Sequence, residues 1–120
     1  MYQINRNFSG SKHYSEKSFI GIFHEDELWD DKEYFLLEEE VFALCEQYSG
    51  DKCLPREVVW PVMRIFSYLM LTLGCQYDPD DYFNLSNLSH EQYISRRERI
   101  QLVFEGFFLG KMPNKKHLEY

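Results

Sequence analysis

The stretch VVWPVMRIFSYLMLTLGC, residues 58–75, has a single charged side chain, Arg64. An apolar run of this length just reaches that of a transmembrane helix, but Pro61 and Arg64 lie inside it. The central helix of a helical bundle has the same composition, because neighbouring elements cover all of its faces. We therefore predict a core helix that opens at Pro55, breaks or kinks at Pro61 and continues over residues 62–73.

A second helix is predicted over residues 32–48, where apolar side chains recur at steps of three and four. Asp30 and Asp31 are good N-caps for it, and Gly50 suits a left-handed C-terminal cap. The stripe consists of Tyr34, Leu37, Val41, Leu44, Cys45 and Tyr48.

A third helix is predicted over residues 90–109. Ser89 is followed three positions later by Gln92, which is the pattern of a capping box. Gly110 is suited to end this helix, because glycine adopts the left-handed conformation without steric cost.

These patterns predict a mostly α fold, a compact bundle of three main helices in a single domain over residues 1–120. Residues 1–18 are polar and are expected to form an extended, irregular arm. The run at residues 19–23, FIGIF, has β-type composition, so one short strand or hairpin is compatible with it. The basic residues 111–120 are expected to fray.

The chain is acidic, with a formal net charge of −7 from 13 basic and 20 acidic residues. Such a charge disfavours direct binding of nucleic acid and favours a basic protein partner. Cys45, Cys53 and Cys75 lie in or beside apolar segments and form no CxxC pair, which indicates buried thiols in a reducing compartment. The N-terminal residues carry no apolar run typical of a signal peptide, so a cytoplasmic location is expected.

Catalytic and metal-binding patterns are not found in the sequence. The four histidines have no metal-ligand spacing, and Cys45 lies on an apolar helix face without a cationic neighbour. No phosphate-binding loop, dinucleotide fingerprint or nucleophile elbow occurs. We therefore predict a non-enzyme without cofactor or metal. A small enzyme that uses paired carboxylates remains an alternative, because spacing alone does not exclude such a pair.

The acidic residues are unevenly distributed. Residues 25–46 contain ten acids and one base, Lys32, and a second cluster lies at residues 78–81. Carboxylates mixed with aromatic side chains suit a basic protein surface, although a solvated helix face is the structural alternative. The predicted partner-binding residues are Glu25, Asp26, Glu27, Trp29, Asp30 and Asp31 in one region and Asp78, Asp80, Asp81 and Tyr82 in another.

In its acidic, aromatic-rich character the chain resembles bacterial toxin-immunity proteins, in particular those of contact-dependent growth inhibition systems. The segments that carry the resemblance are EEEVF at residues 38–42 and YDPDDY at residues 77–82. The second is similar to the acidic recognition region of colicin DNase immunity proteins. The resemblance implies a cytoplasmic protein that neutralises a basic nuclease toxin by covering its active or substrate-binding surface. The alternative is a non-catalytic adaptor or regulatory domain that docks another cytoplasmic protein.

Overall fold

The computed structural model describes residues 1–118 and 120, and these residues form five α-helices, one short 3₁₀-helix and no strand. The prediction of a mostly α fold is confirmed, but the architecture has five helices where a bundle of three was expected. The α-helices are α1 (Tyr2–Asn7), α2 (Phe19–Asp26), α3 (Asp31–Gln47), α4 (Arg56–Leu73) and α5 (His90–Leu109), and the 3₁₀-helix is Lys115–His117.

The two helices with clear capping signals are α3 and α5. The Asp30 carboxylate accepts the N–H of Glu33 at 2.9 Å and so caps α3. Ser89 and Gln92 form the predicted capping box at the start of α5, and Gly110 ends this helix with φ +82°. Local side-chain chemistry therefore sets the ends of both helices close to where the sequence predicts them.

The predicted break at Pro61 is not found, since α4 runs through this residue. Proline removes one main-chain hydrogen bond, here the one to the carbonyl of Glu57 in the first turn. Packing offsets this loss, because Val58, Val62 and Ile65 are all buried beside Pro61. In the part of the chain that the structure describes, no helix combines the length and apolar composition that a bilayer crossing requires.

The expected irregular arm at residues 1–18 contains a helix, α1, which packs against α3 and α4. Ile4 is completely buried, and Asn7 is 1% exposed. The Asn7 side chain accepts the N–H of Ile20 and donates to the carbonyl of Gln3, both at 2.8 Å. A helix of six residues depends on such tertiary contacts, which is why sequence periodicity did not indicate it.

The short strand considered for residues 19–23 is not formed, because these residues begin α2. Ser18 caps the helix by accepting the N–H of Gly21 at 3.1 Å. A side chain at Gly21 would meet the main chain of Ser15 and Glu16 at 2.5–2.6 Å, so only glycine fits. Phe19 and Phe23 lie four positions apart and are both completely buried, which gives this β-type composition a helical buried face.

The C-terminal segment was expected to fray, but most of it packs back on the helices. The Tyr120 ring lies 5.4 Å from that of Phe35 and 6.1 Å from that of Trp29. Gly106 gives room for this return, since a Cβ there would approach Pro113 to 2.9 Å. Residue 119 lies outside the described residues.

The three cysteines do not share one environment. Cys45 is buried, as predicted, and burial raises the pKa of its thiol. Cys53 is exposed and Cys75 is partly exposed, so the prediction of three buried thiols holds only for Cys45. Both of the others lie in connections between helices.

Candidate partner-binding surface

The connection between α4 and α5 is fastened to the connection between α2 and α3. The Asn87 side chain accepts the N–H of Trp29 at 3.0 Å and donates to the carbonyl of Trp29 at 2.8 Å. The N–H of Ser86 also points to the carbonyl of Glu27, at 3.4 Å. These bonds hold the C-terminal end of the loop over residues 75–88 against residues 27 and 29, which follow α2.

Apolar and polar contacts hold the same loop from inside. The Phe83 ring packs on the Phe23 ring of α2 with centroids 5.0 Å apart. Gln76 is buried, and its side-chain oxygen accepts the N–H of Leu85 at 2.9 Å while its amide donates to Asn84 at 3.1 Å. These contacts therefore hold in place the loop over residues 75–88, which carries the acids.

Three acids form two tight turns in this loop. Asp78 accepts the N–H of Asp80 at 2.9 Å, and Asp81 accepts the N–H of Phe83 at 2.8 Å. The bond from Phe83 and a second bond from the Cys75 thiol lower the pKa of the Asp81 carboxyl. Asp81 is therefore negatively charged at neutral pH.

Two tyrosines border these acids and differ in their surroundings. Tyr77 has φ +71° and rests on α5, with its ring 5.3 Å from that of Tyr93. Tyr82 is 99% exposed, which is the greatest exposure of any large hydrophobic residue described. An aromatic side chain held on a fixed loop and left in water is suited to anchor a partner.

The first acidic cluster lies at the C-terminal end of α2. Glu25 and Asp26 are exposed in its last turn, and Glu27 follows with φ +53°, in the left-handed region. Carboxylates here face the negative end of the helix dipole, at a cost of about 0.3–1 kcal/mol each. A non-glycine residue with positive φ adds backbone strain. The cluster therefore does not stabilise α2, which separates it from the ordinary case of acids at a helix N-terminus.

The family model described as Immunity protein 41 matches residues 6–109 of this chain. The chain belongs to the Immunity protein 41 family. No curated protein and no solved structure matches it. Family membership makes the chain an immunity protein for a toxin and indicates a non-catalytic, inhibitory role. The matched residues include both acidic clusters.

Trp29, predicted as a surface anchor, lies in the core of this immunity protein. It is 4% exposed, its ring packs 4.8 Å from that of Phe19, and its Nε1 donates to the Tyr120 hydroxyl at 2.8 Å. Among the described residues its neighbours are therefore other core side chains, and we do not carry Trp29 into the contact surface. In the sequence, a buried tryptophan among acids looks the same as an exposed one.

Other acids of residues 25–46 are engaged by groups of the same chain. Glu38 is 1% exposed and forms two 2.7 Å bonds with Arg99, so EEEVF is not a continuous surface segment. Asp31 is paired with Arg96 at 3.3 Å and also accepts the hydroxyl of Tyr120. Glu33 pairs with Arg6 at 3.1 Å, and Asp30 is engaged as the α3 cap. The charge count along the sequence thus overstates the field at this part of the surface.

The immunity protein also has a small cavity between α2, α4 and the segment after α1. It measures about 190 Å³ and is lined in part by Tyr14, Arg64 and Tyr68. His24 lies at its edge, with Nδ1 2.7 Å from the Tyr68 hydroxyl. Over residues 1–118 and 120, no group of three or more His, Cys, Asp or Glu side chains is arranged to hold a metal ion.

Proposed function

We propose that this immunity protein neutralises a nuclease toxin by covering its basic substrate-binding surface with an acidic face. The acidic face is defined by Glu25, Asp26, Glu27, Asp78, Asp80, Asp81 and Tyr82. Asp30 and Asp31 lie at its border, where Asp30 is engaged as the α3 cap and Asp31 is paired with Arg96. The proposal includes the cytoplasm as the site of action and a contact-dependent growth inhibition system as the source of the toxin.

The choice of a nuclease follows from charge. An enzyme that holds a polyphosphate backbone presents lysine and arginine side chains along its cleft. A dense group of carboxylates competes for the same side chains and attracts them over several ångströms before contact. With a net charge of −7, the inhibitor itself is repelled by nucleic acid, so it does not compete for the substrate.

Affinity and selectivity come from different parts of the face. Solvated carboxylates mainly speed association and exclude partners of the wrong charge. Tyr82 supplies a large apolar surface that becomes buried on binding, and such aromatic anchors dominate the energy of many interfaces. Because the loop is held by Asn87, Gln76 and Phe83, little conformational entropy is lost when it docks.

One observation carries the proposal. Asn87 and Ser86 fasten the acidic loop to Trp29 and Glu27, which supports the proposal that two acidic clusters from distant parts of the sequence form one surface.

The experiment uses the cognate toxin domain and an assay of its nuclease activity. Wild-type protein is expected to inhibit at near-equimolar amounts. The triple variant Glu25→Lys, Asp26→Lys, Asp80→Lys is expected to lose inhibition. The matched control reverses three exposed acids elsewhere, Glu39→Lys, Glu46→Lys, Glu98→Lys, and is expected to inhibit normally. Full inhibition by the first variant, or a toxin without nuclease activity, contradicts the proposal.

A further inference from the structure

The outer face of α4 is more apolar than a solvated helix face requires. Trp60 is 58% exposed and Met63 is 39% exposed, and both lie in the N-terminal half of α4. The opposite side of α4 faces the core through Val62, Ile65 and Leu69. Sequence composition did not reveal this second face, because an almost uncharged run was assigned to the core on every side.

Trp60 is only partly supported by its own chain. Its ring and that of Phe8 are nearly perpendicular, with centroids 6.3 Å apart. A shallow groove beside Trp60 is lined by Arg56, Glu57, Val59 and Met63. A large aromatic side chain beside a groove is the usual form of an interface anchor.

The charges around Trp60 do not suit the basic partner proposed above. Glu57 precedes it by three positions and Arg64 follows it by four, while Arg56 adds a second positive charge. No ion pair to Glu57 or Arg64 is found among the residues that the structure describes. Glu57 and Arg64 thus carry opposite charges on either side of Trp60, which is the pattern of a self-complementary surface.

We propose that the α4 face binds a second copy of this chain, with the two α4 helices antiparallel and their Trp60 side chains at the two-fold axis. With a rise of about 1.5 Å per residue, Glu57 lies about 4.5 Å to one side of Trp60 and Arg64 about 6 Å to the other. The two residues project from nearly the same side of the helix, since seven positions are about two turns. A two-fold axis across the helices therefore places Glu57 of each copy opposite Arg64 of the other.

The antiparallel direction follows from the same positions. Parallel helices related by a two-fold axis would place Glu57 opposite Glu57 and Arg64 opposite Arg64, which is repulsive. In the antiparallel arrangement both ends of the contact carry an attractive pair, and the two Trp60 rings are buried between them. The contact spans about two helical turns, so we expect a dissociation constant on the order of micromolar.

The test is sedimentation velocity from about 1 µM to about 500 µM, a range that brackets such a constant. The wild-type protein is expected to pass from monomer to dimer. Trp60→Ala is expected to weaken the dimer at least about tenfold, whereas Leu109→Ala, which shortens another exposed apolar side chain, leaves it unchanged. A wild-type protein that stays monomeric over the whole range overturns the proposal.

Charge exchange tests the direction of the helices and does not depend on Trp60. Glu57→Arg alone and Arg64→Glu alone each oppose like charges and are expected to weaken self-association. An equimolar mixture of these two variants is expected to form a heterodimer at least as tightly as the wild type, because every opposed pair is then attractive. If the mixture associates no better than each variant alone, or if neither variant is weakened, the arrangement is wrong. Circular dichroism of each variant verifies the fold.

Discussion

The side-chain amide of Asn87 bonds both the N–H and the carbonyl of Trp29, at 3.0 Å and 2.8 Å, across 58 positions of sequence. One side chain thus makes the two hydrogen bonds that a neighbouring strand would make with the main chain of a residue. Through this contact a loop with three aspartates is held against the end of α2, which carries Glu25 and Asp26. The acidic face depends on this joint as much as on the acids themselves.

Asn87→Ala is therefore expected to weaken toxin binding although no charge is removed. Loss of both bonds should reduce the free energy of unfolding by about 1–3 kcal/mol. The loosened loop should raise the dissociation constant about tenfold, because ordering it again costs entropy. Isothermal titration calorimetry and urea unfolding measure the two effects. Ser86→Ala is the control, as this exposed side chain makes no hydrogen bond in the described residues, and equal affinities for both variants would contradict the role of the joint.

Tyr82→Ala is expected to separate affinity from stability. The side chain is 99% exposed, so its removal should change the free energy of unfolding by less than about 0.5 kcal/mol. Toxin affinity should fall at least tenfold, which corresponds to about 1.4 kcal/mol or more. Tyr82→Phe keeps the ring and should retain most of the affinity. Surface plasmon resonance with immobilised toxin is the measurement, and an unchanged dissociation rate for Tyr82→Ala would exclude the anchor.

Glu38→Gln is expected to destabilise the fold severely. The Glu38 and Arg99 side chains are 2% and 7% exposed, and removal of one charge leaves the other buried without compensation. The expected loss is about 3–5 kcal/mol in urea unfolding. Glu33→Gln serves as the matched control, because its pair with Arg6 is nearer to solvent and should be worth less than about 1 kcal/mol. Equal losses for the two variants would show that burial of the Glu38 pair does not matter.

Alkaline pH is expected to destabilise the protein. Burial, and then the nearby Glu38, raise the pKa of Tyr34 well above its ordinary value, and burial also raises the pKa of Tyr14, Tyr68 and Tyr120. The folded state thus keeps protons that the unfolded state releases near pH 10, so stability is full below about pH 10 and falls above it. Urea unfolding across this range measures the slope. Tyr34→Phe should reduce the slope, whereas Tyr2→Phe, at an exposed position, should not; identical slopes would contradict the assignment.

Sequence reasoning located the elements whose ends are determined locally. Asp30 at α3, and Ser89, Gln92 and Gly110 at α5, act within one helical turn, so their patterns are visible in a single sequence. The two missed helices are α2, whose β-type composition concealed its local cap at Ser18, and α1, which depends on a distant contact. The first helix is held by the bond from Ile20 to Asn7, which is invisible to periodicity.

The candidate site was predictable in composition and not in geometry. Both acidic clusters are visible in the sequence, but the bonds between Asn87 and Trp29 are not, because no local pattern indicates them. The sequence setting of both tryptophans is misleading, because Trp29 stands among acids although it is buried, and Trp60 stands in an apolar run although it is exposed. Burial of such side chains is decided by tertiary packing.

The most direct test of the central claim is the association rate of this protein and its toxin, measured by stopped-flow fluorescence at increasing salt. If the acidic face steers the encounter, the rate should fall at least about tenfold between about 0.05 M and 0.5 M salt, while the dissociation rate changes little. The variant Glu25→Gln, Asp26→Gln, Asp80→Asn should start lower and show a shallower dependence. An association rate that does not change with salt, or the same dependence in the variant, would contradict the proposal that this face binds a basic toxin.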